Sequence, residues 1–368
     1  MRIRGAVLEV IGAPRPYANS RPLRIAELEL DDPRTGEVLV EIEAASICHS
    51  DLSVVDGARP RPVPMLLGHE AAGRVLRLGP GVEDLTPGQR VIMTFLPRCG
   101  ECSGCATEGR APCLPGSEAN SAAEMMSGGV RLSEGANKIA HHLGVSGFAS
   151  HAVVDRRSLV AVDDAVPPQV AALFGCAVLT GGGAVLNVAR PAPGSALAVV
   201  GLGGVGLAAA LTALAHDGVH VIGIDALPAK LDLARSLGVH ETLTPEQASA
   251  RGLQAEAVVE AVGKAAAFEF AMAITAPGGT TITVGLPRAD DKLQLSPLTL
   301  VARGQSIVGS YLGSAVPARD IPILIDLWRA GRLPVERLIT SVIELDAINE
   351  AMDDLADGVQ LRQVITFS

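Results

Sequence analysis

The sequence predicts an α/β fold in which a nucleotide-type parallel sheet is inserted into a β-rich domain. Residues 1–95 hold short β-type runs (GAVLEV, LRIAELEL, EVLVEIEAASI, AGRVLRL and QRVIM), punctuated by the turn signals Asp32-Pro33, Gly79-Pro80-Gly81 and Pro87-Gly88. From about residue 175, helical stretches alternate with buried strands at 196–200, 219–224, 257–259, 280–284 and 306–309, the pattern of a parallel sheet with crossover helices. After about residue 311, a helix over 321–330 precedes a strand-like QVITF.

These elements divide the chain into a domain over 1–177, a nucleotide-binding domain over 178–311 and a return to the first domain over 312–368. Residues 99–148, with clustered Cys, Gly and Ser and little periodicity, read as loop. The run 196–215 has twenty residues without a charge, long enough for a membrane span. Its glycine-broken first half and Ala-rich second half read better as strand, turn and helix. With no secretory signal before Glu9, a cytoplasmic protein is expected. Thirty basic residues against 40 acidic ones leave a charge of −10, and aromatics are 2%; both disfavour a nucleic-acid partner.

The segment GLGGVG at Gly201, Gly203, Gly204, Val205 and Gly206 fits G-x-G-x-x-G, and its context strengthens it. A strand precedes, a helix follows, and the next strand ends in Asp225, nineteen residues after Gly206. The glycines let a pyrophosphate approach the backbone at a helix N-terminus. The acidic residue accepts hydrogen bonds from the adenosine ribose and repels a 2′-phosphate, which favours NAD over NADP.

Cys99, Cys102, Cys105 and Cys113 form C-x2-C-x2-C-x7-C, four thiolates placed to wrap one Zn²⁺ and hold the lobe 96–114. Cys48 begins CHSD, His69 lies in GHE and Cys176 in FGC. Two Cys and one His make a three-ligand set with a fourth position open. The other histidines, at 141, 142, 151, 216, 220 and 240, read as surface or loop residues.

Taken in order along the chain, CHSD, GHEAAG, the four-cysteine lobe, Gly175-Cys176 and GLGGVG resemble the zinc-dependent medium-chain alcohol dehydrogenases. The resemblance implies a GroES-like catalytic domain with a Rossmann domain inserted. It implies two Zn²⁺ per chain, a catalytic one on Cys48, His69 and Cys176 and a structural one on the four-cysteine lobe. It makes Asp51 the carboxylate that orients His69, Glu70 a carboxylate near the zinc and Ser50 the carrier of the alcohol proton. Val205 then backs the nicotinamide, His49 and Arg362 contact the pyrophosphate, and Lys230 contacts the ribose. The substrate pocket takes Phe95, His142, Leu143, Leu286 and Tyr311, with Arg59 and Glu118 at its mouth. The implied reaction is hydride exchange between an alcohol, primary and medium-chain or aromatic, and NAD, giving an aldehyde or ketone.

Three departures from common family patterns stand out. Ser53 replaces a histidine that ends the proton relay, His49 replaces an arginine, and Arg59 and Ser117 replace the acidic residue and arginine of glutathione-dependent formaldehyde dehydrogenases. The long stretch from Cys113 to Cys176 resembles that of the dimeric members, so a homodimer is expected. The competing readings are an NADPH-dependent aldehyde reductase, a catalytically silent binding protein on this scaffold, and the zinc-free quinone reductase branch.

Overall fold

A computed structural model describes residues 1–367. The chain forms two compact units, one of Met1–Cys176 with the residues from Glu336 onward, the other of Ala177–Val335.

In the first unit, strands Arg2–Leu8, Leu23–Leu30, Leu132–Glu134, Asn137–His141 and Met65–Leu66 close a barrel. Beside it lies a sheet in the order Leu159–Ala161, Arg90–Met93, Ala71–Leu78, Glu37–Ile47, Arg362–Thr366 and Ile339–Glu344, with His151–Asp155 also paired to Glu37–Ile47. The strand Glu37–Ile47 is nearly continuous in burial because it is paired along both edges, and it delivers Cys48 at its end. The residues expected to be loop are more ordered than that. Helix Leu114–Ala122 starts with a proline in its first turn, where the missing N–H costs nothing. Two strands of three and five residues, Leu132–Glu134 and Asn137–His141, are too short for alternation to show in the sequence.

The second unit is a six-stranded parallel sheet ordered Glu241–Leu243, His220–Ile224, Ala196–Val200, Ala255–Glu260, Thr275–Thr283 and Ser306–Gly309. The chain thus runs outward from Ala196–Val200 in one direction and restarts beside it in the other, leaving a switch point at the C-terminal end of that strand. The uncharged run splits into strand Ala196–Val200 and helix Gly204–Leu214. No helix among the described residues is long and apolar enough to cross a membrane. The sequence places residues 312–335 with the first domain, but they group with this unit. The reason is packing: helix Pro317–Arg329 buries Ile321 and Leu324, and Leu324 fills the space that glycine leaves at Gly182 of helix Ala177–Gly183.

His141 and His142 are not surface residues but are 1% and 2% exposed. His141 Nε2 accepts the Arg131 backbone N–H at 3.0 Å. The Arg131 guanidinium is itself buried against Glu37, with Nη2–Oε1 at 2.5 Å and Nε–Oε2 at 2.9 Å. Burial, reinforced by the Arg131 charge, pushes His141 down to about 4. The unfolded chain therefore binds a proton near pH 6.5 that the folded chain refuses until about 4. Stability from this residue is intact above pH 6.5 and falls as pH drops through that window, by about 3 kcal/mol. In His141→Gln, unfolding free energy measured from pH 7 to 4 should decline less steeply than in the parent; parallel curves would refute this.

Candidate active site

Three donors meet in the first unit. Cys48 ends the strand Glu37–Ile47 and caps helix His49–Val55; His69 lies in the turn before strand Ala71–Leu78; Cys176 follows helix Pro168–Leu173. Their ligand atoms lie within 4.8 Å of one another, and all three residues are buried. The glycine before His69 has φ +91°, and a Cβ there would stand 2.5 Å from the Phe148 backbone nitrogen, so only glycine makes this turn.

Asp51 organises the cluster. Its Oδ1 takes the His69 Nδ1–H at 2.9 Å and its Oδ2 takes the Cys48 backbone N–H at 3.0 Å. With Nδ1 committed to Asp51, Nε2 is the ring nitrogen left for a further ligand, buried and with no hydrogen-bond partner. Such an orphan costs about 1–3 kcal/mol unless something binds it. The thiols are unequal: hydrogen bonding from Cys176 holds Cys48 well below the usual thiol range, while the same contact and burial push Cys176 up. Burial alone would lower His69, but Asp51 and Cys48 outweigh it and raise it well above its ordinary value. An orphaned imidazole nitrogen beside two sulfurs, one already inclined to thiolate, is a donor set that fits Zn²⁺.

Around this set, Phe95 and His142 stand edge-on to His69 with ring centroids at 5.6 and 5.5 Å. His142 Nδ1 is 3.3 Å from Asp51 Oδ1, close but without hydrogen-bond alignment. Leu143 is buried next to it in the chain. Glu70, fully buried, holds Arg362 Nη1 at 2.5 Å, and the same nitrogen donates to the Ile47 carbonyl at 3.3 Å. His49 is exposed and Ser50 half-buried on the first turn of helix His49–Val55. The Ser53 hydroxyl donates to the His49 carbonyl at 2.8 Å, so it is committed to the helix backbone.

The four-cysteine lobe also assembles. Cys99, Cys102, Cys105 and Cys113 bring their sulfurs within 4.8 Å of one another, with Cys99 and Cys105 at 3.8 Å. Backbone N–H groups of Cys99, Gly100, Cys102, Cys105 and Leu114 point at these sulfurs at 3.3–3.4 Å. Those of Leu114 and Cys105 hold Cys102 down to about 6, whereas burial pushes Cys113 up to about 12. The six cysteines are all free, so no disulfide competes for them.

In the second unit, Gly201 has φ +92°, and a Cβ on Gly206 would fall 1.8 Å from the Gly201 carbonyl oxygen. Glycine is therefore required where helix Gly204–Leu214 starts close under the preceding strand, with Gly203 at its cap and Val205 in its first turn. Asp225 Oδ2 accepts the Leu202 N–H at 2.8 Å and Oδ1 the Leu227 N–H at 3.0 Å, tying the end of strand His220–Ile224 to the glycine loop. Lys230 Nζ lies 3.9 Å from the same carboxylate. Leu286 is exposed and Tyr311 half-buried, both in this unit, apart in the chain from the Phe95–His142 group.

Two residues that the sequence reading passed over shape these sites. Glu260, 1% exposed, accepts the Val262 and Gly263 N–H groups at 2.7 Å each and the Thr283 hydroxyl at 2.8 Å, fixing the loop after strand Ala255–Glu260. An acidic residue closing the buried run AVVE is the signal that marks it. Asn120 donates to the Phe95 carbonyl at 2.7 Å from within helix Leu114–Ala122, and no sequence pattern pointed to it.

Residues 34–164 match the alcohol dehydrogenase GroES-like domain, and residues 204–329 match the zinc-binding dehydrogenase family. The chain is 34% identical over 362 residues to alcohol dehydrogenase B of Mycobacterium tuberculosis strain H37Rv, with 95% of this chain and 96% of that protein covered. Among solved structures, an alcohol dehydrogenase zinc-binding domain protein from Burkholderia ambifaria is similar at TM-score 0.91 and 30% identity, covering 100% of this chain and 99% of its own. Benzyl alcohol dehydrogenase from Acinetobacter calcoaceticus is similar at TM-score 0.91 and 28% identity, with both chains fully covered.

Proposed function

Because the chain belongs to the zinc-dependent medium-chain alcohol dehydrogenases, we propose that it oxidises primary medium-chain or aromatic alcohols with NAD, reversibly, using one catalytic and one structural Zn²⁺. The observation that carries this reading is the buried Cys48–His69–Cys176 set with its orphaned His69 Nε2. A zinc ion bound there supplies Lewis acidity that lowers the pKa of an alcohol hydroxyl. Asp51 keeps the His69 ring in the tautomer that presents Nε2 inward. The Ser50 hydroxyl takes the alcohol proton and passes it toward solvent, a role that Ser53, bound to the His49 carbonyl, does not share. Glu70 and Arg362 neutralise each other behind the thiols, so that the donor set does not face an unpaired charge. Phe95 and Leu143 give the substrate an apolar lining on the His69 side, in keeping with the name of the Acinetobacter relative.

For the cofactor, Asp225 supports NAD, since its carboxylate repels a 2′-phosphate. Substituting Asp225→Ser should shift the ratio of kcat/KM for NADP over NAD upward by at least about tenfold; an unchanged ratio would remove Asp225 from cofactor choice. The test of the whole reading is initial NADH formation by zinc-replete protein over alcohols from ethanol to octanol and with benzyl alcohol. Rates that climb with chain length or favour benzyl alcohol support it, and silence across the series counts against it.

Six free cysteines arranged as metal donors suit a reducing, cytoplasmic setting. A homodimer is supported by the sheet edge at Ser306–Gly309 and by Leu298 and Val301, 78% and 79% exposed on the helix Pro297–Arg303.

A further inference from the structure

We propose that Arg61 selects alcohols that carry a carboxylate remote from the hydroxyl, its guanidinium receiving that group beside the His69 cluster. The inference rests on the alcohol dehydrogenase reading and names its substrate class.

Arg61 is linked to that cluster through two intervening residues. Phe95 packs edge-on against His69, the Asn120 side chain donates to the Phe95 carbonyl at 2.7 Å, and Arg61 Nη1 donates to the Asn120 carbonyl at 3.1 Å. All of these residues belong to one unit. Pro60 and Pro62 flank the arginine, and a following proline keeps it out of helical backbone, so the side chain projects from a stiffened arm.

The remaining hydrogen-bonding capacity of Arg61 is what needs a partner. A guanidinium has five N–H donors in a planar fork. The bond to Asn120 uses one, and no carboxylate among the described residues pairs with Arg61. Arg131 and Arg90, by contrast, are each bound to a glutamate through two nitrogens. In a chain of net charge −10, a half-buried cation left without a counter-ion near a donor cluster is a place where an organic anion gains a two-pronged hydrogen bond. Arg59, which the sequence reading set at the pocket mouth, has its backbone N–H on the Ser53 carbonyl at 2.7 Å and is a different arm of the same turn.

The test is calorimetric titration of the zinc-replete, full-length protein with 4-(hydroxymethyl)benzoate and 6-hydroxyhexanoate, each against its neutral counterpart, benzyl alcohol or hexan-1-ol. At least one carboxylate should bind roughly tenfold more tightly than its counterpart. The preference should vanish in Arg61→Gln, which keeps a donor for Asn120, and survive in part in Arg61→Lys, which keeps the charge. No preference in the parent protein, or a preference undiminished in Arg61→Gln, overturns the proposal. Binding is read without turnover, so a preference in a protein that oxidises none of the four alcohols would defeat the dehydrogenase reading and leave the role of Arg61 standing.

Discussion

Replacing His69 with alanine should lower the zinc content from two ions per chain to one and reduce alcohol oxidation by at least about a thousandfold. The size of the effect follows from the site. His69 supplies its only nitrogen donor, and the ring is held by Asp51 so that Nε2 has nothing else to bind. Two cysteines alone leave a buried pair with one acidified and one suppressed thiol, a poor seat for a tetrahedral ion. The glycine loop and Asp225 lie in the other unit, so NAD should still bind to the variant, and fluorescence titration with NADH separates loss of the metal from loss of the fold. Retention of two zinc ions with full turnover would show that His69 is not a ligand.

The second large effect is on stability. Cys113→Ala should also reduce the zinc content by one, but its main consequence should be a fall in Tm of roughly 10 °C. The segment from Cys99 to Cys113 contains only one short helical turn, at Cys105–Thr107, and five backbone N–H groups in or beside it are satisfied by sulfur. Four sulfurs within 4.8 Å of one another repel when they ionise, and a bound Zn²⁺ would offset that repulsion. Cys113 is also the most deeply buried member, at the start of helix Leu114–Ala122, and that helix carries Asn120 to the Phe95 carbonyl. Loosening the lobe should therefore disturb the apolar wall beside His69 as well. A variant with an unaltered Tm and two zinc ions would show that the lobe holds itself together without Cys113.

The sequence reading reached the parallel sheet because buried strands and a glycine turn leave dense local patterns, and strands Ala196–Val200 and Ser306–Gly309 appear where alternation placed them. It named the cysteines that the fold draws into two clusters able to hold a metal, because cysteine spacing carries its meaning without a fold. It failed where contacts are made at long range. His141 and His142 looked like surface histidines because nothing near them in the chain shows that Arg131 and Asp51 approach them. The strands around them are too short to reveal burial by periodicity. The helix Pro317–Arg329 was assigned to the wrong unit for a related reason: its apolar stripe shows that it packs, but not that Gly182 is its partner. Arg61 carried no signal in the sequence, and only the hydrogen bond to Asn120 gives it a place.

If hydride moves between an alcohol carbon and NAD at a site built on Cys48, His69 and Cys176, the hydrogen of the alcohol carbon must arrive on the nicotinamide. The most direct measurement is the fate of deuterium from α,α-dideuterated benzyl alcohol, followed by proton NMR of the nicotinamide after reaction with zinc-replete protein. One deuterium should appear at C4 of the reduced nicotinamide for each aldehyde formed, with the transfer lost in His69→Ala. Reduced cofactor without the label, or aldehyde formed without reduced cofactor, would contradict it.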